Sequence, residues 1–241
     1  MSELIEAVRR ARVYDVSPAI RGGMPVFPGH PPVEVDATAR THARDGYFLQ
    51  ALALGEHVGS HVDAPAHALA DRPAATIDTF SAERFVVPYA LLDLSGLGLE
   101  PGELASADDL RGALAAAAVA LEPGDAVLIH FGWDRHFDRA DGWWAANAPG
   151  LDDGACAYLV AVGVGLVGSD TATCDTAVVD GSIVSDVGHR IHFLPNDILI
   201  VEGLVGLGAV PARGVFVGAP LKIGGGSGSP IRALLLCEEG G

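Results

Sequence analysis

Apolar runs bounded by Gly, Pro or Asp recur along the chain, and runs of this kind are typical of buried strands. The segments predicted as strands are VYDVS (13–17), FVVPYALLDL (85–94), DAVLIHFGW (125–133), GVGLVGSD (163–170), ILIVEGL (198–204), GVFVGAPLKI (214–223) and IRALLLCEE (231–239). Because Pro88 has no N–H to donate to a ladder, the strand at 85–94 is expected at the edge of its sheet.

Helix-forming composition and capping residues mark three further segments. Ser2 is a candidate cap for a short amphipathic helix that runs to Arg12. Ser106 begins S-A-D-D, which resembles a capping box, and the Ala- and Leu-rich sequence after it favours a helix to about Leu121. The third predicted helix runs from Asp152 to Val162.

The order of these elements predicts the fold class. Helix and strand alternate between about residues 106 and 170, whereas the last third of the chain is mostly strand. This order indicates an α/β protein with a mixed β-sheet core, some parallel strands and flanking helices. No repeat, low-complexity segment or long linker divides the sequence, so residues 1–241 are expected to form a single domain.

The charge balance excludes two classes of partner. Fifteen Lys and Arg residues stand against 31 Asp and Glu, which gives a net charge of −16. A surface this acidic repels nucleic-acid phosphates and anionic membranes. The sequence begins without the basic and apolar regions of a signal peptide, and its most apolar run, GALAAAAVAL (112–121), is too short to cross a bilayer. A soluble, cytoplasmic protein is therefore expected.

Candidate chemistry is concentrated in EHVGSHVDAPAH (56–67), which contains His57, His61, Asp63 and His67, although the whole chain has only nine histidines. Imidazole and carboxylate are donors that zinc, manganese and iron accept, and three ligands with one open position is the arrangement of catalytic sites. The segment therefore predicts a metal site. The alternative, surface or core histidines in an apolar strand, fits such a dense group poorly.

The backbone of this segment is predicted to be kinked. Gly59, the β-branched valines beside it and Pro65 all disfavour a regular helix. On a strand the four polar residues share one face, but four strand residues span about 13 Å, close to the limit for two imidazoles that grip one ion. A bend at Gly59–Ser60 removes the difficulty, with glycine supplying the permissive φ.

The same residues resemble a known family. HVGSHVDAPAH (57–67) resembles the H-x-G-T-H-x-D-A-P-x-H signature of the cyclase family of metal-dependent hydrolases, which includes bacterial kynurenine formamidase and isatin hydrolase. The other segments that resemble the family's blocks are VYDVSPAIRGGMPVFPG (13–29), IHFGW (129–133), LVGSDTATCD (166–175), ILIVEGL (198–204) and GSPIRA (228–233). The resemblance extends over nearly the whole chain and implies the swivelling β/β/α fold of that family.

The resemblance also implies a ligand set. His57, His61 and Asp63 would bind the metal, Asp63 would bridge to a second ion in members with two metals, and His67 would be the catalytic acid and base. Glu202 matches the family's later glutamate. The ions implied are Zn²⁺ or Mn²⁺, one or two per subunit.

A histidine that completes the second metal position is harder to assign. Family members usually have it twelve residues before the glutamate, where this chain has Arg190, flanked by His189 and His192. Aligning HRI with the family's H-R-I favours His189, and His192 stays open. If neither histidine reaches the site, a single metal is expected.

Smaller features concern the substrate pocket. Phe27 and Trp133 are candidates for stacking a planar substrate, as are Trp143 and Trp144, although aromatic residues in strands and helices more often belong to the core. Ser60 stands where the family usually has Thr and keeps a hydroxyl for a hydrogen bond that braces the backbone.

Three further sequence features bear on the site. Ala68 replaces a common aromatic residue, which widens the pocket; Asp170 and Asp175 are candidate anchors for the loop beside the metal; and the glycine-rich GGGSGSP (224–230) lacks the lysine and helix of a phosphate loop.

The histidine cluster predicts a metal-dependent hydrolase, and the resemblance implies that it cleaves a small aromatic amide, as an arylformamidase of the kynurenine formamidase kind does. The alternatives are isatin hydrolysis or lactone opening in the same family, and a non-catalytic metal-binding protein on the same fold. A serine hydrolase is disfavoured because Ser60 and Ser169 lack a recognisable nucleophile elbow. The expected partners are a small-molecule substrate and, from the resemblance, further copies of the chain in a homodimer or homotetramer.

Overall fold

The computed structural model describes residues 3–139 and 141–238. Its strands are β1 (Arg12–Asp15), β2 (Glu34–Arg40), β3 (Leu49–Ala53), β4 (His61–Asp63), β5 (Val86–Asp93), β6 (Leu104–Ala105), β7 (Ala126–His130), β8 (Gly150–Leu151), β9 (Leu166–Ser169), β10 (Ala177–Val179), β11 (Ser182–Ser185), β12 (Leu199–Glu202), β13 (Arg213–Val217), β14 (Gly228–Pro230) and β15 (Leu234–Cys237). Its α-helices are α1 (Glu3–Arg10), α2 (His42–Asp45), α3 (Ala107–Ala117), α4 (Trp143–Ala146) and α5 (Asp153–Val162).

A nine-stranded mixed sheet organises the molecule, in the order β1-β15-β13-β5-β7-β9-β12-β4-β14. The four central strands β5, β7, β9 and β12 are parallel. The strands on either side are antiparallel to their neighbours. The predicted mixed α/β class is therefore confirmed, and the sheet joins strands from both ends of the chain.

Apolar side chains cover both faces of this sheet. Along β7, Val127 and Ile129 point into one buried cluster, which also contains Leu110 of α3 and Leu159 of α5. Leu128 points the opposite way, into a second buried cluster on the other face. A central strand buried on both faces has a continuous apolar sequence rather than an alternating one, which is what AVLIH at 126–130 shows.

The predicted edge position of β5 is wrong. The strand lies between β13 and β7, and Pro88 is in register with Val215. Leu91 donates its N–H towards β13, to the Ala212 carbonyl, so alternation along the strand directs the nitrogen of Pro88 towards β7. The β7 ladder begins only at Tyr89, one residue later. The proline therefore sits where no ladder hydrogen bond is needed.

The predicted helices are confirmed with shorter limits. Ser106 and Asp109 form a reciprocal capping box at the start of α3, but the helix ends at Ala117 because Ala118 is left-handed (φ 53°). Asp152 caps α5 by accepting the Ala155 N–H. The first helix covers Glu3–Arg10, while its expected cap Ser2, like residue 239 of the last predicted strand, lies outside the described residues.

Several short strands lie in segments for which no strand was predicted. The most extended are β2 and β3, an antiparallel pair separate from the main sheet, with all five residues of β3 exposed. Strand β14 adds to β4 at the end of the main sheet. Within the described ranges, no helix combines the length and apolar character that a membrane span requires.

Candidate metal centre

The kink predicted in the histidine segment is present. Gly59 has φ +61°, and regular strand structure begins only at His61. Strand β4 then pairs antiparallel with β12, so that His61 lies directly opposite Glu202. Because cross-strand partners point to the same face of a sheet, the two side chains project together. The Ser60 hydroxyl donates to the Gly203 carbonyl oxygen over 2.8 Å, which confirms the predicted bracing hydrogen bond.

Two histidines and two carboxylates meet at this point. His61 Nε2 lies 3.2 Å from Glu202 Oε2 and 3.5 Å from Asp63 Oδ1. His189 Nε2 lies 3.3 Å from Glu202 Oε1 and 3.4 Å from Asp63 Oδ2. All four residues are buried. Neighbouring ligands of a tetrahedral zinc ion, each about 2.1 Å from the metal, stand about 3.4 Å apart. The spacing of these donor atoms therefore matches a metal-ligand shell.

The hydrogen bonds of the outer ring nitrogens show which nitrogen carries a proton. His61 Nδ1 lies 3.0 Å from the Gly59 carbonyl oxygen, and His189 Nδ1 lies 2.6 Å from Asp175 Oδ1. A carbonyl and a carboxylate only accept, so both Nδ1 atoms are donors. In a neutral imidazole the lone pair is then on Nε2, which faces the carboxylates.

When these imidazoles are neutral, the centre brings acceptors together without donors between them. Asp63 Oδ2 and Glu202 Oε1 are buried and have no hydrogen-bond partner among the described residues. Burying unpaired carboxylate oxygens is costly unless a cation compensates them. Imidazole nitrogens and carboxylate oxygens are the ligands that Zn²⁺ and Mn²⁺ accept. The residues present therefore fit the metal site that the sequence predicts.

The electrostatics of the same groups agree with this fit. Burial lowers the pKa of His61, but the hydrogen bond to Glu202 and the charge of Asp63 outweigh it and raise the pKa to about 9. Burial also lowers the pKa of His189, while Asp175 raises it well above its usual range. Without a metal these histidines hold protons between the carboxylates. A metal ion would take the place of those protons.

Of the two histidines left open by the sequence, the structure brings His189 to the centre and keeps His192 away. Both lie in a π-helical turn, Gly188–His192. His189 is buried, whereas His192 Nε2 pairs with Asp153 Oδ1 at 2.7 Å on the surface. The wide turn fits closely, because a Cβ on Gly188 would lie 2.3 Å from the Asp175 carboxyl carbon. This packing against the Asp175 side chain requires glycine.

His67 is at the mouth of the centre. It ends a short 3₁₀ turn, Pro65–His67, and its ring centroid lies 4.0 Å from that of His57 and 6.2 Å from that of His189. Although its side chain is exposed, desolvation by the surrounding cleft lowers the pKa of His67. Its ring can also reach a metal shared with His57 and Asp63. Its position allows either a ligand or a proton carrier.

A cleft of about 200 Å³ opens over these residues. Its walls are largely apolar or aromatic, with one ion pair at the rim. Among its wall residues are Phe27, His30, Ala68, Trp144, Ile183, Asp186 and Arg190. Of the aromatic candidates from the sequence, Phe27 and Trp144 therefore line the cleft.

The expectation that Trp133 stacks a substrate is corrected by its position. Trp133 is 2% exposed, lies in the core cluster and does not line the cleft. Its indole N–H donates to the Asn147 carbonyl oxygen over 2.7 Å, and its ring stacks on Trp143. Trp133 follows the end of a strand, a position that suggested substrate binding. Instead, the chain enters a tight loop there, in which the Asp170 carboxylate accepts the Trp133 and Phe131 N–H groups.

Two residues of the centre were not singled out from the sequence. The Ser227 hydroxyl contacts His57 Nε2, and it donates to the Glu56 carboxylate. Glu56 immediately precedes the first histidine, which was an available signal. Ser227 is 170 residues from His57, inside a glycine-rich segment whose pattern bears only on phosphate binding.

Comparison with known proteins shows the family and agrees with the fold. The sequence model of the Cyclase family, described as "Putative cyclase", matches residues 14–176. The chain is 32% identical to kynurenine formamidase from Paracidovorax citrulli over 224 residues, which is 92% of this chain and 95% of the relative. It is 29% identical to isatin hydrolase from Roseibium aggregatum, covering 87% of this chain and 82% of the relative. The chain belongs to the cyclase family.

Solved structures show the same fold over almost the whole length. An isatin hydrolase bound to the product analogue thioisatinate superposes with a TM-score of 0.83 at 24% identity, covering 99% of this chain and 100% of that one. Isatin hydrolase A from Ralstonia solanacearum gives 0.83 at 25% identity, covering 98% and 96%. The cyclase-like fold expected from the sequence is confirmed.

Proposed function

We propose that this chain is a metal-dependent hydrolase of carbon–nitrogen bonds in small aromatic amides, with N-formylkynurenine as the first candidate substrate. The observation that carries the proposal is the buried pair Asp63 and Glu202, whose oxygens Oδ2 and Oε1 face His189 Nε2 and have no hydrogen-bond partner among the described residues. Such a centre is compensated by a divalent cation. The similarity to kynurenine formamidase supports the substrate class.

Two ions fit the geometry better than one. Asp63 directs Oδ1 towards His57 and His61 and Oδ2 towards His189. Glu202 likewise directs Oε2 towards His61 and Oε1 towards His189. Each carboxylate thus offers one oxygen to each side. We propose that Asp63 and Glu202 would help to hold two Zn²⁺ or Mn²⁺ ions, one together with His57 and His61 and the other together with His189.

Separate residues would transfer protons and bind the substrate in this hydrolysis. When bound, the metal supplies Lewis-acid chemistry, polarising a carbonyl and making water acidic near neutral pH. His67, neutral at that pH because its pKa is lowered, accepts a proton from water and passes it to the leaving amine. Phe27 and Trp144 provide flat apolar walls for an aromatic ring.

Isatin is the second candidate substrate. The relatives and neighbours include isatin hydrolases, and the cleft has only the small Ala68 beside His67. A cyclic amide would occupy the same walls. A purely structural metal site is disfavoured, because such sites are closed by four protein ligands, whereas this centre opens to a cleft with His67 at its mouth.

One experiment separates these possibilities. The purified protein is analysed for metal content and assayed on N-formylkynurenine and isatin, before and after chelation and after metal is restored. We expect activity on one of them that chelation removes and metal restores. Activity that survives complete metal removal would overturn the metal-dependent assignment, and bound metal without turnover of either amide would favour the non-catalytic alternative.

We further propose that the protein is a homo-oligomer in the cytoplasm. Strands β2 and β3 form a two-stranded ribbon, and isolated two-stranded ribbons are at best marginally stable. Leu49 and Leu52 of β3 and Phe48, which immediately precedes this strand, have side chains about half exposed, and a partner copy would cover them. Light scattering should give a mass of at least two chains, and Phe48→Ser with Leu52→Ser should shift it towards one. Cell fractionation tests the compartment.

A further inference from the structure

A second layer of hydrogen bonds connects His57 to a carboxylate outside the metal centre. His57 Nδ1 lies 2.6 Å from Asp63 Oδ1, and His57 Nε2 lies 2.8 Å from Ser227 Oγ. The Ser227 hydroxyl in turn lies 2.7 Å from Glu56 Oε2, which also accepts the Ser227 backbone N–H over 2.9 Å. The four residues form a continuous chain from Glu56 to Asp63.

The direction of each hydrogen bond follows from counting protons. A carboxylate only accepts, so the single hydrogen of the Ser227 hydroxyl is donated to Glu56. The hydroxyl oxygen must then accept from His57, which places a proton on Nε2. In a neutral imidazole the lone pair is consequently on Nδ1, and it faces the Asp63 carboxylate. At 2.6 Å the two atoms are at hydrogen-bond distance, so a proton joins them in the metal-free protein, and a metal ion bound at Nδ1 would displace that proton.

We propose that Glu56 and Ser227 are a positioning pair that holds His57 in the Nε2–H tautomer, so that His57 presents Nδ1 to the metal. This inference rests on the proposed function. His61 and His189 present the opposite nitrogen, Nε2, because their Nδ1 atoms donate to Gly59 and Asp175. Outer hydrogen bonds of this kind fix the orientation of metal-binding histidines and raise their basicity.

The connection Ser227–His57–Asp63 also resembles the order of groups in a serine hydrolase, but the proton directions differ. A nucleophilic serine donates its hydrogen to the histidine, which then acts as base. Here Glu56 takes that hydrogen, and the backbone N–H of Ser227 is bound to the same carboxylate oxygen. The hydroxyl therefore orients the imidazole and is not activated by it.

Strand β14 fixes the serine against the ring. The backbone carbonyl oxygen of Ser227 accepts the Ala64 N–H over 2.9 Å. The next residue, Gly228, is in register with Asp63. A Cβ at Gly228 would lie 2.6 Å from His57 Cε1, so this backbone passes against the edge of the imidazole. The glycine-rich sequence around Ser227 is thereby explained as close packing on a metal ligand.

The test compares Ser227→Ala with Ser229→Ala, a matched buried serine two residues away that bonds Leu221 and Pro230 instead of the histidine. Zn²⁺ affinity is measured by competition with a chromophoric chelator. Removing an outer partner of a ligand costs about ten- to a hundredfold in metal affinity. We expect that loss for Ser227→Ala and for Glu56→Gln, little loss for Ser229→Ala, and no further loss in the Ser227→Ala/Glu56→Gln double variant. Additive losses, or equal affinity in all variants, would overturn the pair.

A measurement on the unaltered zinc-loaded protein tests the tautomer directly. In a long-range ¹H–¹⁵N NMR spectrum, His57 should show a proton on Nε2 and metal on Nδ1, whereas His61 and His189 should show the reverse. A His57 pattern like that of the other two would overturn this inference and leave the proposed function standing. A protein that binds no zinc would instead remove the proposed function itself.

Discussion

The Ser60 hydroxyl and the Gly203 carbonyl oxygen, 143 residues apart, are joined by a buried hydrogen bond of 2.8 Å. It connects the kinked histidine segment to the residue after Glu202. The two backbones approach closely, since a Cβ on Gly203 would lie 2.4 Å from the Gly59 carbonyl oxygen. This hydrogen bond therefore braces the two ligand-bearing segments beside the end of the β4–β12 pairing.

Replacing Ser60 with Ala should destabilise the protein and weaken metal binding together. The Gly203 carbonyl would be left buried without its donor, which costs about 1–3 kcal/mol in the free energy of unfolding. Ser60→Thr keeps the hydroxyl and should stay closer to the original protein. Urea denaturation of both variants measures the difference, and an alanine variant as stable as the threonine variant would contradict the bracing role.

The sequence predicts much of this centre because its residues are either adjacent or carried by a recognisable pattern. His57, His61 and Asp63 lie in one segment, and the need for a bend at Gly59 follows from strand dimensions alone. The outer partners are harder to predict, since Asp175 and Ser227 reach the histidines only through packing of distant segments. Sequence spacing carries no information about such contacts.

The errors in the fold have the same origin. Pro88 suggested an edge strand, but the neighbouring ladder begins one residue later, and this offset is a property of the sheet. Trp133 follows a buried strand, where binding residues are common, yet the loop after it turns inward onto Asp170. In both cases the residue type is compatible with two environments, and tertiary structure selects between them.

His189 and His192 provide a paired test of the second metal position. His189→Ala should bind fewer metal equivalents than the original protein, because its Nε2 is the imidazole nitrogen between Asp63 and Glu202 on that side. His192→Ala should keep full metal content, since it loses only a contact to Asp153 at the surface. Elemental analysis of both variants checks the expectation. A metal deficit in the His192 variant alone would reverse the assignment.

His67→Ala distinguishes a proton carrier from a ligand. If the histidine moves protons, the variant should keep its metal content and lose about 10²–10⁴-fold in kcat. If it binds metal with His57 and Asp63, metal content should fall as well. Metal analysis and kinetics on the same preparation decide between the two. A metal-loaded variant with unchanged turnover would exclude both roles.

Phe27 and Trp133 should respond to mutation in opposite ways. Phe27→Ala removes a wall of the cleft and should raise KM for an aromatic substrate with little change in stability. Trp133→Ala leaves a cavity in the core, and losses of this kind cost about 3–5 kcal/mol. Steady-state kinetics and thermal unfolding of both variants are compared. A Trp133 variant of normal stability but high KM would restore the original expectation.

Glu202→Gln should make the metal-free protein less stable and abolish its response to metal. Burial and the charge of Asp63 raise the pKa of Glu202, but the hydrogen bonds from His189 and His61 outweigh them and hold the pKa below its usual value. In the absence of a cation, the ionised carboxylate therefore stabilises the fold, and a neutral amide loses these charge-assisted hydrogen bonds. Each kcal/mol lost lowers Tm by about 2–4 °C in a chain of this size. The original protein should gain about 2.7 kcal/mol when free metal is a hundredfold above Kd. Thermal scans with chelator and with Zn²⁺ test both statements. A glutamine variant that melts higher than the original in chelator would show that the repulsion between the two buried carboxylates outweighs their hydrogen bonds to the histidines.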